Sequence, residues 1–237
     1  MTTGIVVGGA GGIGAACARA LAGSADVIVL CGRRREPLEA VAASVSQTSI
    51  VVAADVASPE GRDTIAAAVD GSIAWVVLAS GIPVRRPLAE LPEDEVAAAF
   101  AANLVGPTLL LRRLLDLQWQ QGAAVAVIGS ISASRSLPSR AVYSGSKAGL
   151  EHLARSLAAE LAPSGIRVNV VAPGVIETPF LGDARRALEE WTRSRVPLAR
   201  VGTPDEVANT VRYVLLDAPS YLTGARIAVD GGAEAVA

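Results

Sequence analysis

Residues 8–21, GGAGGIGAACARAL, place five glycines in seven positions and then continue as a good helix. Gly8, Gly12 and Gly14 have the spacing G-x-x-x-G-x-G. A turn without side chains can be tight, and its backbone can approach a pyrophosphate closely. A helix beginning near Ile13 would point free N–H groups and its positive dipole end at the phosphates. The stretch therefore predicts a dinucleotide-binding turn, although glycines also form tight turns for purely structural reasons.

Short runs rich in valine and isoleucine recur along the chain: GIVVG, DVIVL, SIVVAA, AWVVLAS, AVAVIGS, IRVNVVAP and RIAVD. They are apolar on both faces, which is typical of parallel strands buried between layers of helices. Helical stretches such as residues 37–45 lie between them. The pattern predicts an α/β fold, a Rossmann-like, doubly wound parallel sheet of about seven strands with helices on both faces. The glycine turn follows the first strand.

The composition narrows the classes of protein. Of 237 residues, 51% are hydrophobic and 19% are charged, and no linker divides them, so we expect a single domain over residues 1–237. A net charge of −2 offers no general attraction for nucleic acid or a membrane surface. Cys17 and Cys31 suit a reducing, cytoplasmic setting and form no metal site. The most apolar stretch, residues 96–111, carries Asn103 and Pro107, so we expect no membrane span.

The end of the second strand, LCGRRREP, indicates which cofactor the turn accepts. An acidic residue at this position would bind the free 2′-hydroxyl of NAD. Here Gly32 leaves room, and Arg33 with Arg34 can pair with a 2′-phosphate through charge-assisted hydrogen bonds. The sequence therefore favours NADP(H). NAD(H) stays the alternative, because a solvated basic turn that binds no phosphate would have the same composition.

Three residues in GSISASRSLPSRAVYSGSKAGL predict acid/base chemistry. Tyr143 and Lys147 are four residues apart and lie on one face of a helix. Tyrosine has an ordinary pKa of about 10 and needs a nearby cation to exchange a proton at neutral pH. Lys147 can supply that charge, and Ser130 ends the fifth strand at the edge where ligands bind in open α/β sheets.

The ordered series of motifs resembles the compact, single-domain type of the short-chain dehydrogenase/reductase family. The series comprises the glycine turn, Asp55-Val56, Asn103 in AANLVG, Ser130 with Tyr143-x-x-x-Lys147, the segment RVNVVAPGVIETP, and the C-terminal PLARVGTPDEVANTVRYVLLDAPSYLTGARIAVDGG. The resemblance covers nearly the whole chain. It implies hydride transfer between a nicotinamide and the carbon of a carbonyl or secondary alcohol, without a metal.

The resemblance implies a role for each matching residue. Tyr143 would exchange a proton with the substrate oxygen, and Ser130 would hydrogen bond that oxygen. Lys147 would hold the nicotinamide ribose and lower the pKa of Tyr143, while Asn103 would position a water of the proton relay. With the two arginines, the expected cofactor contacts are Gly8, Gly12, Ile13, Gly14, Arg33, Arg34, Asp55, Val56, Gly81, Tyr143, Lys147, Pro173, Gly174, Ile176 and Thr178.

The chain departs from the family pattern in two places near the nucleotide. Val7 stands where members usually have threonine before the first glycine. Leu78-Ala79-Ser80-Gly81 replaces the usual Asn-Asn-Ala-Gly after the fourth strand, so Ser80 is the candidate to brace that strand. Neither change affects proton or hydride transfer, and we expect an active enzyme.

Other residues flank the expected pocket. The loop arginines could receive an acidic substrate or the phosphates of a carrier thioester, or they could be solvated; they are Arg85, Arg86, Arg135 and Arg140. Residues 181–194, LGDARRALEEWTRS, look by family resemblance like a mobile helical lid, or form an ordinary surface helix anchored by Trp191. His152 fits a surface or subunit contact better than an acid/base role.

We expect a small-molecule carbonyl or alcohol substrate, with 3-oxoacyl thioesters as one class among several. An NAD(H)-dependent alcohol dehydrogenase of the same family is the alternative. A non-catalytic nucleotide-binding scaffold should have lost one of the four catalytic candidates, and a dehalogenase-like protein would lack the glycine turn. The resemblance also implies a homo-oligomer, a tetramer or dimer, built from the long helices and the C-terminal segment.

Overall fold

The structure is a computed structural model that describes residues 1–45, 47–135 and 137–236. Within these residues seven strands form one sheet: β1 Thr2–Val7, β2 Val27–Gly32, β3 Thr48–Ala53, β4 Ser72–Leu78, β5 Trp119–Ile128, β6 Arg167–Pro173 and β7 Arg226–Val229. The strands are ordered β3-β2-β1-β4-β5-β6-β7, and every neighbouring pair is parallel. The predicted parallel sheet is confirmed.

Helices cover both faces of this sheet. In chain order they are α1 Gly12–Ala20, α2 Arg35–Ala43, α3 Pro59–Ala67, α4 Glu93–Phe100, α5 Gly106–Leu114, α6 Ala141–Leu161, α7 Arg185–Arg195 and α8 Pro204–Arg212. Side chains of α1, α2 and α8 form the core on one face, among them Leu38 and Val207. Those of α3, α5 and α6 form the core on the other, among them Leu110 and Leu150. The doubly wound architecture follows from these two apolar layers.

The helical region between β4 and β5 is interrupted, although its sequence reads as one long helix. Residues Ala101–Val105 form a π turn between α4 and α5. Pro107 has no N–H to donate to the carbonyl of Asn103 four residues earlier, and a π turn accommodates such a missing bond. By length and composition alone, Glu93–Leu114 could cross a membrane. Its Leu110 and Leu114 are fully buried against the sheet.

The switch in strand order brings two loops together at the carboxyl edge of the sheet. The chain moves from β1 to β2 and β3 on one side, whereas β4 lies on the other side of β1. The N–H groups of Gly8 and Gly9 donate to the carbonyl of Cys31, each at 2.9 Å. The N–H of Ala79 donates to the Val7 carbonyl at 2.8 Å. Ligands of open α/β sheets bind in the crevice at such a point.

Candidate active site

A cleft of about 970 Å³ opens at this carboxyl edge. It is lined by the loops that follow β1 to β6, by the start of α6 and by α7. Of the residues predicted for the site, the cleft is lined by Gly8, Gly12, Ile13, Gly14, Arg33, Arg34, Asp55, Val56, Gly81, Ser130, Tyr143, Lys147, Pro173, Gly174, Ile176 and Thr178. Only Asn103 among the predicted site residues is absent from this wall.

The glycine turn forms one end of the cleft, which we call the nucleotide end. Gly8 has φ +86°, and a Cβ added there would lie 2.8 Å from the backbone of Ala79 and Ser80. A Cβ on Gly14 would overlap the carbonyl oxygen of Gly8, so the start of α1 packs directly on the turn. The helix begins at Gly12 with no side-chain cap on its first N–H groups. This bare backbone fits a pyrophosphate at a helix N-terminus.

Arg33 and Arg34 lie exposed beside the nucleotide end, after β2. Neither guanidinium forms a hydrogen bond or ion pair with any residue in the described part of the chain. The next arginine, Arg35, differs because it lies 3.5 Å from the carboxylate of Glu39 one helical turn along α2. Two unpaired guanidinium groups at this position fit a bound phosphate.

Asp55 and Val56 follow β3 and line the same end of the cleft. The Asp55 carboxylate accepts the N–H of Ala57 at 2.9 Å. The expected bracing by Ser80 is wrong, because its buried hydroxyl has no hydrogen-bond partner among the described residues. Ser80 lines the cleft, but its hydroxyl oxygen is buried and is not presented to a ligand there.

Ser130, Tyr143 and Lys147 meet on one wall at the opposite end, which we call the substrate end. Ser130 follows β5, and its hydroxyl accepts the N–H of Ser132 at 3.1 Å. Tyr143 and Lys147 lie one turn apart on α6, with only 7% and 4% of their surfaces exposed. The Lys147 ammonium donates to the carbonyl of Ile128 at 2.9 Å. Strand end and helix start thus bring the three side chains together.

Burial changes the acidity of both titratable groups. It raises the pKa of Tyr143, while the Ser130 hydroxyl and the charges of Arg140 and Arg85 act in the opposite direction. Burial lowers the pKa of Lys147 to about 8, against a raising effect of the Glu151 carboxylate. The cations that lower the pKa of Tyr143 are therefore the two arginines, and the same role for Lys147 stays a prediction.

Asn103 lies behind the cleft wall, in the π turn. It is fully buried, and its side-chain oxygen accepts the N–H of Ile82 at 2.7 Å. Its amide nitrogen donates to the Ile82 carbonyl at 3.2 Å and to the Ser146 hydroxyl at 3.0 Å. A Cβ on Gly81 would lie 3.1 Å from Asn103 and 3.6 Å from the Lys147 ammonium. These contacts tie the strand end after β4 to α6, and the water-positioning role stays a prediction.

A buried ionic network next to Ser130 was missed from the sequence. Glu151 is 4% exposed, and its carboxylate accepts the N–H of Ser130 at 2.9 Å and the guanidinium of Arg226 at 2.7 Å. Arg226 also pairs with Glu234 at 2.7 Å and bonds the Ser130 carbonyl at 3.4 Å. The four-residue spacing between Lys147 and Glu151 could have indicated that Glu151 lies near the site, because it places the two side chains one helical turn apart. Nothing in the sequence indicated that β7 brings Arg226 to it.

The segment expected to be either a lid or a surface helix anchored by Trp191 lines the substrate end, and Trp191 packs against the buried Ile131 and Val196. After β6, residues Pro179–Ala184 form a 3₁₀ segment that leads into α7, and Phe180, Leu188 and Trp191 line the cleft. The Phe180 ring lies 5.9 Å from the Tyr143 ring, centroid to centroid. The helical cover is therefore present, whereas its mobility stays a prediction. His152 is exposed on α6 and lies outside the cleft.

A cleft of this kind, at the switch point of a parallel sheet with a glycine turn at one end, is typical of nicotinamide-dependent oxidoreductases. A family model described as enoyl-(acyl carrier protein) reductase matches residues 8–234. The chain belongs to the short-chain dehydrogenase/reductase family. It is therefore an oxidoreductase of carbonyl or alcohol substrates in a family that uses NAD(P)(H).

Individual relatives are similar over nearly their whole length. The chain is 34% identical to carbonyl reductase family member 4 of Danio rerio, covering 96% of each protein. It is 34% identical to cis-4-hydroxycyclohexanecarboxylate dehydrogenase of Sinomonas cyclohexanicum, covering 98% of this chain and 96% of that one. A crystal structure of a short-chain dehydrogenase from Burkholderia cenocepacia J2315 in complex with NADP superposes with a TM-score of 0.87 at 29% identity, covering 98% and 97% of the two chains.

Proposed function

We propose that this protein is an NADP(H)-dependent oxidoreductase that interconverts a ketone and a secondary alcohol, with Tyr143 as the acid/base. The observation that carries the proposal is that Ser130, Tyr143 and Lys147 share one wall of a cleft whose other end is the glycine turn. The relative from Sinomonas cyclohexanicum supports a secondary alcohol as substrate. That relative is named as a dehydrogenase of cis-4-hydroxycyclohexanecarboxylate, whose hydroxyl group is a secondary alcohol. Acyl thioesters with a 3-oxo group remain a second substrate class.

The proposed chemistry assigns one task to each side chain. The bound nicotinamide supplies or accepts the hydride. In reduction, the Tyr143 hydroxyl gives its proton to the carbonyl oxygen of the substrate, and the product is the alcohol. In oxidation, the Tyr143 phenolate takes the hydroxyl proton back. The Ser130 hydroxyl hydrogen bonds the same substrate oxygen and orients it toward Tyr143.

The state of Tyr143 depends on the charges around it. Burial raises its pKa, so a nearby positive charge is needed to form the phenolate near neutral pH. Lys147 has a pKa of about 8 and is mostly cationic at pH 7. We propose that it stabilises the phenolate and holds the nicotinamide ribose, while Asn103 braces the wall behind it and positions a water of the proton relay.

The preference for NADP(H) rests on Arg33 and Arg34. Their guanidinium groups line the nucleotide end and have no acidic partner within the described residues. A 2′-phosphate would give each a charge-assisted hydrogen bond. Further contacts to the cofactor are assigned to Asp55, Val56 and Gly81 on one side. On the other side they are assigned to Pro173, Gly174, Ile176 and Thr178, and at the turn to Gly8, Gly12, Ile13 and Gly14.

The test is a fluorescence titration of the purified protein with NADPH and with NADH, alongside the variant Arg33→Ala. We expect tighter binding of NADPH than of NADH. Removal of one charged hydrogen bond should weaken NADPH binding about 10- to 100-fold. NADH binding should change little. Arg35→Ala is the matched control, because Arg35 is the neighbouring arginine and is paired with Glu39 outside the cleft.

Each outcome has a distinct meaning. Equal affinities, or tighter binding of NADH, would contradict the 2′-phosphate assignment and favour the NAD(H)-dependent alternative. Failure of both nucleotides to bind would contradict the proposed function. Equal losses of NADPH affinity in Arg33→Ala and Arg35→Ala would indicate a general effect of surface charge instead of a specific contact with the 2′-phosphate.

We also propose that residues 1–237 act as one domain that assembles into a homotetramer or dimer. Val105, the last residue of the π turn, and Leu109 on α5 lie four residues apart and are 45% and 42% exposed. Exposed apolar side chains on one helix face suit a subunit contact. Light scattering on the purified protein measures the mass directly, and a monomer at micromolar concentration would contradict the assembly.

A further inference from the structure

Two of the four loop arginines near the pocket face the substrate end of the cleft. Arg140 lies directly before α6, three residues from Tyr143, and Arg85 lies in the loop after β4. Both line the cleft. Arg86 instead lies outside it and pairs with Glu95 at 3.2 Å. Arg135 also lies outside and donates to the carbonyl of Ala233 at 2.6 Å.

Arg85 is held in place by neutral groups. Its guanidinium donates to the carbonyls of Leu181 at 2.8 Å and Phe180 at 3.0 Å. It also lies 5.8 Å from the centroid of the Phe180 ring. These contacts orient the side chain but leave its positive charge without a carboxylate among the described residues. A fixed orientation lowers the entropic cost of binding a ligand.

The guanidinium of Arg140 has no hydrogen bond or ion pair with any described residue, and only its backbone carbonyl is bonded, by the N–H of Ser144 at 2.7 Å. The backbone just before it is strained, since Ser139 has φ +61° in the left-handed region. Such strain is found at functional sites, where the surrounding structure maintains it. The loop therefore presents the Arg140 guanidinium to the cleft without a partner, directly after a residue in an unfavourable backbone conformation.

The two charges disfavour one another in the free protein. Partial burial lowers the pKa of both guanidinium groups, and the charge of Arg85 lowers that of Arg140 further. Both charges also act on the phenol of Tyr143. Two neighbouring cations that are half-buried and lack an anion are costly, and a bound anion would relieve that cost.

The remainder of the substrate end is apolar. Leu137, Phe180, Leu188 and Trp191 line it, and no aspartate or glutamate does so among the described residues. This wall would accept an apolar ring or chain. The anion must therefore sit at one point of an otherwise apolar molecule, close to the carbon that reacts beside Tyr143.

We propose that Arg140, with Arg85 beside it, binds a carboxylate carried by the substrate, so that the substrate class is an apolar keto or hydroxy acid. This inference rests on the proposed function, because it assigns a binding site to the substrate of that reaction. The arginines adjoin the reacting group itself. The phosphate of a carrier thioester would instead lie at the far end of a long arm, many bonds from the carbonyl.

The experiment compares cyclohexanecarboxylate with cyclohexanecarboxamide, which have nearly the same shape and differ in charge. Binding of each to the full chain is measured by calorimetric titration, with and without NADP⁺. We expect the carboxylate to bind about tenfold more tightly, as one charge-assisted hydrogen bond allows. Arg140→Gln should abolish this preference, and Arg140→Lys should retain part of it. Arg86→Gln, the exposed and already paired neighbour, should leave it unchanged.

Equal binding of the two compounds, or no binding of the carboxylate, would overturn the inference. So would a preference that survives in Arg140→Gln or is lost in Arg86→Gln. Circular dichroism identifies a variant that fails to fold, and Arg140→Lys then carries the comparison. NADPH binding without a carboxylate preference overturns only the substrate class. A carboxylate preference without nucleotide binding overturns only the proposed function.

Discussion

The two ends of the cleft are built by different means. The phosphate-binding part proposed for the nucleotide end is backbone, and the glycine turn that forms it occupies seven consecutive residues, 8–14. The substrate end is made of side chains, and they come from distant segments: Arg85, Ser130, Arg140, Tyr143 and Phe180. A backbone site needs only a local motif. A side-chain site needs the whole sheet to bring its parts together.

The two ends should also respond differently to pH. The N–H groups and helix dipole of the nucleotide end carry fixed partial charges that no proton removes. The substrate end contains buried titratable groups, and the pKa of Tyr143 is raised while that of Lys147 is lowered to about 8. The pH dependence of proton transfer should therefore arise at the substrate end.

The largest effect on activity is expected from Tyr143→Phe, which removes a functional group from the substrate end and leaves the nucleotide end unchanged. The variant keeps the ring packed against Phe180 but loses the proton donor. We expect kcat to fall about 10²- to 10⁴-fold, as is usual for loss of a general acid, and NADPH affinity to stay within about twofold. Steady-state oxidation of NADPH with a reactive ketone measures the first quantity, and fluorescence titration the second.

Tyr221→Phe is the control for that comparison, since Tyr221 is 98% exposed and lies outside the cleft. It should match the unmodified protein in both measurements. Full activity of Tyr143→Phe would contradict the acid/base assignment. A parallel loss of NADPH affinity would show that the two ends are not independent.

A smaller effect is expected from Gly8→Ala, which damages the nucleotide end. The added methyl would meet the backbone of Ala79 and Ser80 at 2.8 Å, at φ +86°. Left-handed strain alone costs about 1–3 kcal/mol for a residue with a side chain. We expect a loss of unfolding free energy in the upper part of this range, together with weaker NADPH binding. Urea unfolding measures the stability.

Gly23→Ala distinguishes the effect of left-handed backbone strain from that of a steric clash. Gly23 has a similar φ of +81°, but nothing lies within 4 Å of an added Cβ. This control should lose less unfolding free energy than Gly8→Ala and retain its affinity for NADPH. Equal losses of stability in the two variants would show that the close approach at Gly8 contributes nothing.

The smallest effect is expected from Glu151→Gln, which changes the charge behind the substrate end. The Glu151 carboxylate raises the pKa of Tyr143, because a negative charge disfavours the phenolate. Its removal should lower that pKa, so the base form appears at lower pH. In alcohol oxidation the rising limb of kcat/KM should therefore move to lower pH.

Glu160→Gln provides the reference for that profile, since Glu160 is exposed farther along α6. Its pH profile should coincide with that of the unmodified protein. A limb that stays in place in Glu151→Gln, or moves to higher pH, would contradict the electrostatic link between this carboxylate and the site.

Much of the fold could be predicted because its signals are local. The both-sided apolar runs indicated parallel strands, and the turn at residues 8–14 located the first crossover. The interruption of the helical region between β4 and β5 could not be predicted from the sequence. The composition of this region is continuous, and the π turn at Ala101–Val105 depends on how Pro107 and Asn103 are accommodated against α6.

The site was predictable where a residue's role depends on its own type and spacing. Tyr143 and Lys147 needed only helical periodicity to lie together. Ser80 and Arg140 needed neighbours from other segments, so one expectation failed and the other was left open between substrate contact and solvent. The roles of the site residues, the oligomeric state and the cytoplasmic setting stay predictions.

The sequence by itself determined the class of fold, the glycine turn and the grouping of Ser130 with Tyr143 and Lys147, because each depends on local apolar runs or on spacing over a few residues. Only the tertiary structure decided which arginines line the cleft, that Asn103 lies behind the wall, and that Glu151 meets Arg226. The physical reason is sequence distance. Side chains 75 positions apart meet through the packing of β7 beside β6 and α6 across the sheet, and no short window of sequence contains that contact.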